Sequence, residues 1–325
     1  MRDVPAPKPR PGEVLLRIRR IGICGSDIHV WRGKHPFTSY PVVQGHEYSA
    51  TVEAVGPGVT GVRPGMKATA RPQLVCGQCP PCRRGEYNVC NALKVQGFQA
   101  PGCAQDLFVV PLSRLVLLPD GMSFDNGALV EPVAVAARAT GRAGDLRGLN
   151  VVVLGAGTIG NLVAQAARCR GAGNVFITDV NPFRLELAKK MGVTVALNLR
   201  ERTLPQVQKQ LGMLEGFDVG LEMSGNGDAL RDMLDNMSHG AKIALLGIPK
   251  RATVVDLNPI IFKLLTIKGI YGREMYETWY KMTIMLQCGL DISPVITHRF
   301  PCEEFIKGFE AMGTGECAKV ILNWM

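Results

Sequence analysis

Cys76, Cys79, Cys82 and Cys90 fall within one fifteen-residue stretch, at spacings of two, two and seven intervening residues. Thiolate sulfur binds zinc tightly and tetrahedrally, and this spacing lets a single loop wrap one ion. Four sulfur ligands leave no open coordination position, so the chemistry expected here is structural. Pro80 and Pro81 stiffen the loop, and Gly77 and Gly85 permit its turns. Unmetallated surface thiols are the plainer alternative, and the density of the cluster argues against them.

A second set of metal-ligating types is dispersed. Cys24 sits in the glycine-rich stretch Gly22-Ile-Cys-Gly-Ser-Asp-Ile-His29, His46 and Glu47 follow Gly45, and Glu131 lies in Leu129-Val-Glu-Pro132. Thiolate, imidazole and carboxylate together can hold zinc while leaving one position free for a substrate. By residue type alone this set is weak, because an isolated Gly-His-Glu is more often structural.

The third chemical feature is Leu149-Asn-Val-Val-Val-Leu-Gly-Ala-Gly-Thr-Ile-Gly160, an apolar strand running into G-x-G-x-x-G. The helix expected to follow places Ile159, Val163 and Ala166 on one face, which supplies the context that the glycine pattern needs. Gly155 allows the tight turn, Gly157 lets backbone approach a pyrophosphate, and Gly160 lets the helix pack on the sheet. The free N–H groups at the helix start then face the phosphates. Asp179 ends the next strand, where a carboxylate accepts from ribose hydroxyls and repels a 2′-phosphate, favouring NAD over NADP. Arg184 pulls slightly the other way, since it can hold either a hydroxyl or a phosphate. A helix-packing glycine set with a surface Asp is the alternative.

These groups need two kinds of scaffold. The first third of the chain is rich in Gly and Pro, with short β-type runs such as Val14–Ile18 and Ala50–Ala54, as in an irregular antiparallel domain. From about residue 149 apolar runs alternate with helical patterns. The runs are Val151–Leu154, Val175–Thr178, Val195–Leu197, Val219–Leu221, Ile243–Leu246 and Ile267–Tyr271; helical patterns include Arg184–Met191, Asp228–Met237 and Glu274–Gln287. Six strands with helical crossovers predict a doubly wound parallel sheet. After Gly289 the irregular texture returns. The expected domains are therefore 1–138 with 273–325, and 139–272.

The chain has 325 residues, a net charge of +9 and ten cysteines. Its basic residues come scattered or in pairs, without the long runs or aromatic interleaving of a nucleic-acid binder. An anionic dinucleotide profits from the same field. No apolar run reaches a membrane span, and the opening residues Met1–Val14 hold no secretory signal. A cytoplasmic location follows, in which cysteines serve as metal ligands or free thiols. Cys103, Cys169, Cys288, Cys302 and Cys317 have no ligand spacing and are expected to pack in cores.

The order of these motifs resembles that of zinc-containing medium-chain alcohol dehydrogenases, across essentially the whole chain. The resemblance implies a GroES-like β-rich catalytic domain, a Rossmann coenzyme domain and an active site in the cleft between them. It implies two zinc ions, with Cys24 and His46 as catalytic ligands and either Glu47 or Glu131 supplying the carboxylate. It implies that Ser26 bonds the substrate oxygen and that His29 ends a proton relay, while hydride passes to the nicotinamide. It also implies a dimer or tetramer. From Ile177 onward the chain resembles the threonine dehydrogenase branch, most sharply in Gly269–Met282 and Gly289–Phe300. The zinc side, with Gly33–Phe37 and Val130–Ala136, resembles polyol and sugar-acid dehydrogenases. Glu131 stands where the threonine branch has Asp, and Gln73 where it has His. A small polar secondary alcohol, threonine ahead of a polyol or sugar acid, is the expected substrate. A non-catalytic, zinc-stapled binding protein is the remote alternative.

Overall fold

A computed structural model describes residues 3–324; Met1 and Arg2, at the head of the segment read above for a signal, and Met325 lie outside them. In chain order the first strands and helices are β1 (Glu13–Ile23), α1 (Gly25–Trp31), β2 (Glu47–Val55), β3 (Lys67–Ala70), β4 (Gln73–Leu74) and α2 (Pro80–Arg83). β5 (Lys94–Val95), β6 (Leu107–Pro111), β7 (Leu115–Leu117) and the long α3 (Phe124–Ala143) follow. Strands and helices then alternate: β8 (Asn150–Leu154), α4 (Thr158–Cys169), β9 (Asn174–Asp179), α5 (Pro182–Lys190), β10 (Val195–Asn198) and α6 (Leu204–Gln210). The alternation continues through β11 (Phe217–Glu222), α7 (Gly227–Asp235), β12 (Met237–Leu245), α8 (Asn258–Phe262), β13 (Thr266–Gly269) and α9 (Glu277–Gln287). The chain closes with β14 (Ile296–Pro301), α10 (Phe305–Thr314) and β15 (Lys319–Asn323).

The first unit carries a sheet ordered β14-β15-β1-β2-β3-β7, with β6 also paired to β1. All its ladders are antiparallel except β14–β15, which is parallel. β1 carries the most partners and alternates: Val14, Leu16, Ile18, Ile21 and Ile23 enter a core with Tyr48, Ala50, Phe108, Val320 and Leu322. A half-polar strand of this kind needs only one buried face.

The second unit is a six-stranded parallel sheet ordered β10-β9-β8-β11-β12-β13. That is the doubly wound order, in which the sequence switches direction beside β8. Strands covered by helices on both faces must be apolar throughout. Val151, Val152, Val153 and Leu154 are accordingly 0–1% exposed, and each contributes about 1.5–3 kcal/mol of burial. All six runs read as strands from the sequence are strands here.

The compact units divide at Glu131/Pro132 and Val295/Ile296, instead of at 138/139 and 272/273. The first division falls inside α3, at its internal Pro132, whose missing N–H breaks one helical bond. The second lies beyond the last parallel strand because further contacts hold the following segment. Arg138 of α3 pairs with Glu274, Thr278 Oγ1 accepts from the Glu274 N–H, and the turn Ser293–Val295 packs on α4 and α5. No helix among the described residues is long and apolar enough to cross a membrane.

Candidate active site

β1 ends at Ile23, and Cys24 becomes the N-cap of α1 with extended backbone angles. Asp27, in the first turn, accepts the Cys24 N–H on Oδ2 at 2.8 Å. Its Oδ1 stands 3.6 Å from His46 Nδ1, in surroundings where both side chains are almost fully buried. His46 and Glu47 arrive at the start of β2, which lies antiparallel to β1 with Glu47 opposite Gly22. A Cβ on Gly22 would come 2.5 Å from Glu47 Oε2, so a side chain there would displace that carboxylate.

The ligand atoms of Cys24, His46 and Glu47 all lie within 4.8 Å of one another. Zinc bonds of about 2.0–2.3 Å can gather three such atoms with little movement. Neither Asp27 Oδ1 nor His46 Nδ1 has a hydrogen-bond partner, although both are buried. Asp27 thus backs Nδ1 and leaves Nε2 for a metal, the carboxylate–histidine arrangement that fixes a ligand ring. The residues present fit zinc.

Glu131 is buried on α3 but is not one of the three converging ligands. Burial raises the Glu47 carboxyl pKa, Lys319 opposes this, and Glu131 adds to the rise. Lys319 of β15 is itself buried; its Nζ donates to Glu47 Oε2 and, at 3.1 Å, to Ile23 O. Burial works against the Lys319 charge, yet Glu47 and Cys24 outweigh it and raise the pKa. For His46, burial opposes the cation but Asp27 prevails, and the pKa rises well above its ordinary value. One thiol, one imidazole and three carboxylates share one buried lysine, a balance that favours a dication.

Ser26 Oγ donates to Cys24 Sγ at 3.1 Å, which places the hydroxyl beside the ligand set. His29 lies three residues further along α1 on the same face, exposed. Sequence reasoning missed Asp27, Lys319 and the His35–Phe98 pair. The His35 ring stacks on Phe98 with centroids 4.6 Å apart, and Phe98 lies 4.9 Å from the His46 ring. For Lys319 the signal was available: a lysine inside the apolar run Ala318–Leu322.

Cys76, Cys79, Cys82 and Cys90 also converge to within 4.8 Å, as their spacing predicts. Cys79 N donates to Cys76 Sγ and Cys76 N to Cys90 Sγ, both at 3.4 Å. Backbone N–H groups of Cys82 and Asn91 lower the Cys79 pKa to about 6, while burial and adjacent thiols raise that of Cys82 to about 12. Of the five remaining cysteines, Cys103, Cys302 and Cys317 are buried as expected. Cys169 and Cys288 are exposed, because they fall at helix ends.

In the coenzyme unit, Gly155 has φ +90°, and a Cβ there would press on Ser224 at 3.0 Å. A Cβ on Gly160 would lie 1.7 Å from Gly155 O, whereas nothing stands within 4 Å of Gly157. The loop therefore closes tightly and leaves its middle glycine open, which suits a pyrophosphate. Asp179 Oδ2 accepts the Ala156 N–H at 2.8 Å, and Oδ1 accepts from Val180 and Asn181. Arg184 Nη1 is 3.8 Å from Asp179. Ile159 is half-buried in the first turn of α4.

A glycine-rich loop of the dinucleotide-binding kind and two zinc-type clusters define a zinc- and nicotinamide-dependent oxidoreductase, and comparison with known proteins agrees. Residues 10–120 match the alcohol dehydrogenase GroES-like domain and residues 158–287 the zinc-binding dehydrogenase domain. The chain belongs to the zinc-binding dehydrogenase family. It is 46% identical over 327 aligned residues to L-threonine 3-dehydrogenase of Solibacter usitatus, covering all of this chain and 96% of that one. Among solved structures it resembles an Escherichia coli CFT073 alcohol dehydrogenase complexed with NADH, at TM-score 0.90 and 29% identity, covering 98% and 93% of the two chains. It also resembles Escherichia coli galactitol-1-phosphate dehydrogenase, at TM-score 0.90 and 29% identity, covering 99% and 96%.

Proposed function

We propose that this chain oxidises the secondary hydroxyl of L-threonine to 2-amino-3-ketobutyrate, using NAD. The observation that carries the substrate is 46% identity to L-threonine 3-dehydrogenase along the whole chain. Cys24, His46 and Glu47 would hold the catalytic zinc, Glu131 would stand behind Glu47 as the alternate carboxylate, and the four-cysteine lobe would hold a structural ion. When bound, the catalytic zinc supplies a Lewis acid that acidifies the hydroxyl, and the nicotinamide supplies the hydride acceptor. Ser26 accepts the hydroxyl proton at Oγ, and His29, exposed to water, passes it on. Asp27 orients the His46 ring, and Lys319 steadies Glu47. Gly155, Gly157 and Gly160, with Ile159 in the first helical turn, shape the pyrophosphate loop. Asp179 selects an unphosphorylated ribose, with Arg184 alongside.

Glu131 and Gln73 favour a second reading, a polyol or sugar acid, because both depart from the threonine branch on the zinc side. A kcat/KM panel of L-threonine, sorbitol, L-idonate and L-gulonate, each with NAD and NADP, separates the readings. L-Threonine with NAD should lead by at least about tenfold, a difference of 1.4 kcal/mol. A lead by L-gulonate or sorbitol would remove threonine. No hydride transfer with any of them would remove both readings.

We propose a cytoplasmic location, which tagging and fractionation would test. A second copy of this chain is the expected partner. Ile248, Val254, Leu257, Ile261, Phe262 and Leu264, in and around the segment between β12 and β13, are 61–85% exposed, and among the described residues β13 is an edge strand paired with β12. Apolar surface of that kind marks an association site. Light scattering should give a dimer or tetramer; a monomer at micromolar concentration would remove the assignment.

A further inference from the structure

In the first unit, the residues that follow the four-cysteine lobe dock on the segment that carries His46. Gly102 N donates to Val43 O at 2.7 Å, Ala104 N to Gln44 O at 3.0 Å and Cys103 N to Gly45 O at 3.0 Å. The two backbones also meet at Gly97, where φ is +82° and a Cβ would stand 2.8 Å from Gly45 N. Phe98, the next residue, is held by its own N–H, which donates to Val95 O at 3.2 Å. Its ring centroid lies 4.9 Å from that of His46, with the two planes at 56°. On Phe98 the His35 ring stacks at 4.6 Å and 19°. Thr38 Oγ1 stands 2.8 Å from His35 Nδ1 and anchors the outer ring of this column. Aromatic rings at such separations have preferred relative orientations, so the column resists rotation of any one member.

His46 needs such a brace. Asp27 Oδ1 attracts its Nδ1, but at 3.6 Å neither atom makes a hydrogen bond. The carboxylate therefore fixes which ring edge faces it and leaves the tilt of the ring open. We propose that Phe98, clamped between His35 and His46, is the positioning residue that sets this tilt and keeps His46 aimed at Cys24 and Glu47. The inference rests on the reading of His46 as a metal ligand. It does not depend on which alcohol the enzyme oxidises, because Phe98 acts through the imidazole alone.

Cobalt(II) loaded into the full-length protein in place of zinc tests it, because the visible absorption of cobalt reports ligand geometry. Bands of the parent that His46→Ala removes mark the ion of this centre. Phe98→Leu keeps the apolar bulk and removes the flat ring face. It should weaken cobalt at this centre by about tenfold, the scale of losing an outer-shell partner, and shift those bands. Phe98→Tyr should keep the parent's bands and affinity, and neither substitution should disturb metal in the four-cysteine lobe. His35→Ala removes the outer ring of the stack at a half-buried position. It should give the same shift more weakly and add nothing in a Phe98→Leu background; it carries the test alone if Phe98→Leu does not fold. If His46→Ala removes no bands, the ligand reading falls and the brace falls with it. If His46→Ala removes them while Phe98→Leu and His35→Ala keep the parent's bands and affinity, the brace alone is overturned. A Phe98→Leu protein that melts earlier with unshifted bands would make Phe98 a packing residue.

Discussion

The four-cysteine lobe draws every ligand from one short loop, whereas the other metal cluster is assembled from the starts of α1 and β2 and backed from β15. In the lobe, four thiols of similar chemistry meet because the chain between them is short. Little besides backbone N–H groups and mutual contact holds them, so an ion bound there would be the staple. Around Cys24 the order is reversed. The capping interaction of Asp27, the β1–β2 register and the Lys319–Glu47 pair place the ligands through the fold, and the metal enters a site that the protein already holds. In one cluster a metal would make structure; in the other, structure is ready to present a metal.

The comparison predicts opposite responses to ligand loss. His46→Ala should keep the fold and the lobe ion, cut bound zinc from about two to about one per chain, and lower turnover by at least about 10³-fold at every pH. Cys79→Ser should instead release the lobe ion and lower the thermal midpoint, with the folded fraction still turning over. Elemental analysis beside melting curves reads both. Equal destabilisation by the two substitutions would erase the distinction.

Lys319→Met sharpens it, because it strips the dispersed site of its internal cation. In zinc-free protein the change should cost about 3–5 kcal/mol, since Glu47 is left as an unpaired buried charge. With zinc bound the loss should shrink, because the ion takes over the compensation. Urea unfolding with and without chelator, against the parent treated alike, measures the difference; an identical loss in both would make Lys319 a packing residue.

His29→Ala is the mildest test. Zinc content and cofactor binding should stay unchanged while turnover falls by up to about 10²-fold, the scale of one proton-transfer step. The deficit should be deepest below neutral pH, where hydroxide cannot substitute, and smaller toward pH 9. A pH profile parallel to the parent's would take this residue out of the relay.

What could be read from the chain follows the same division. The lobe was plain because Cys76–Cys90 carries its own geometry in its spacing. The six parallel strands were plain because burial on both faces forces unbroken apolar runs such as Val151–Leu154. Cys24, His46 and Glu131 needed the family resemblance, since nothing local links residues so far apart in sequence. Asp27 and Lys319 escaped because their roles exist only after β1, β2 and β15 pair. Gly289 misled in a different way: the change of texture there is real, yet Ser293–Val295 still packs on α4 and α5, so the unit ends later than the last strand suggested.

The pairing of Lys319 with Glu47 joins positions 272 residues apart. On the ribosome, the ligands Cys24, His46 and Glu47 emerge early, while the lysine that neutralises them is made almost last. Until β15 is released and docks beside β1, Glu47 lacks its lysine partner. An ion captured in that interval would meet Glu47 without its lysine, which ties loading of the centre to the docking of the last strand.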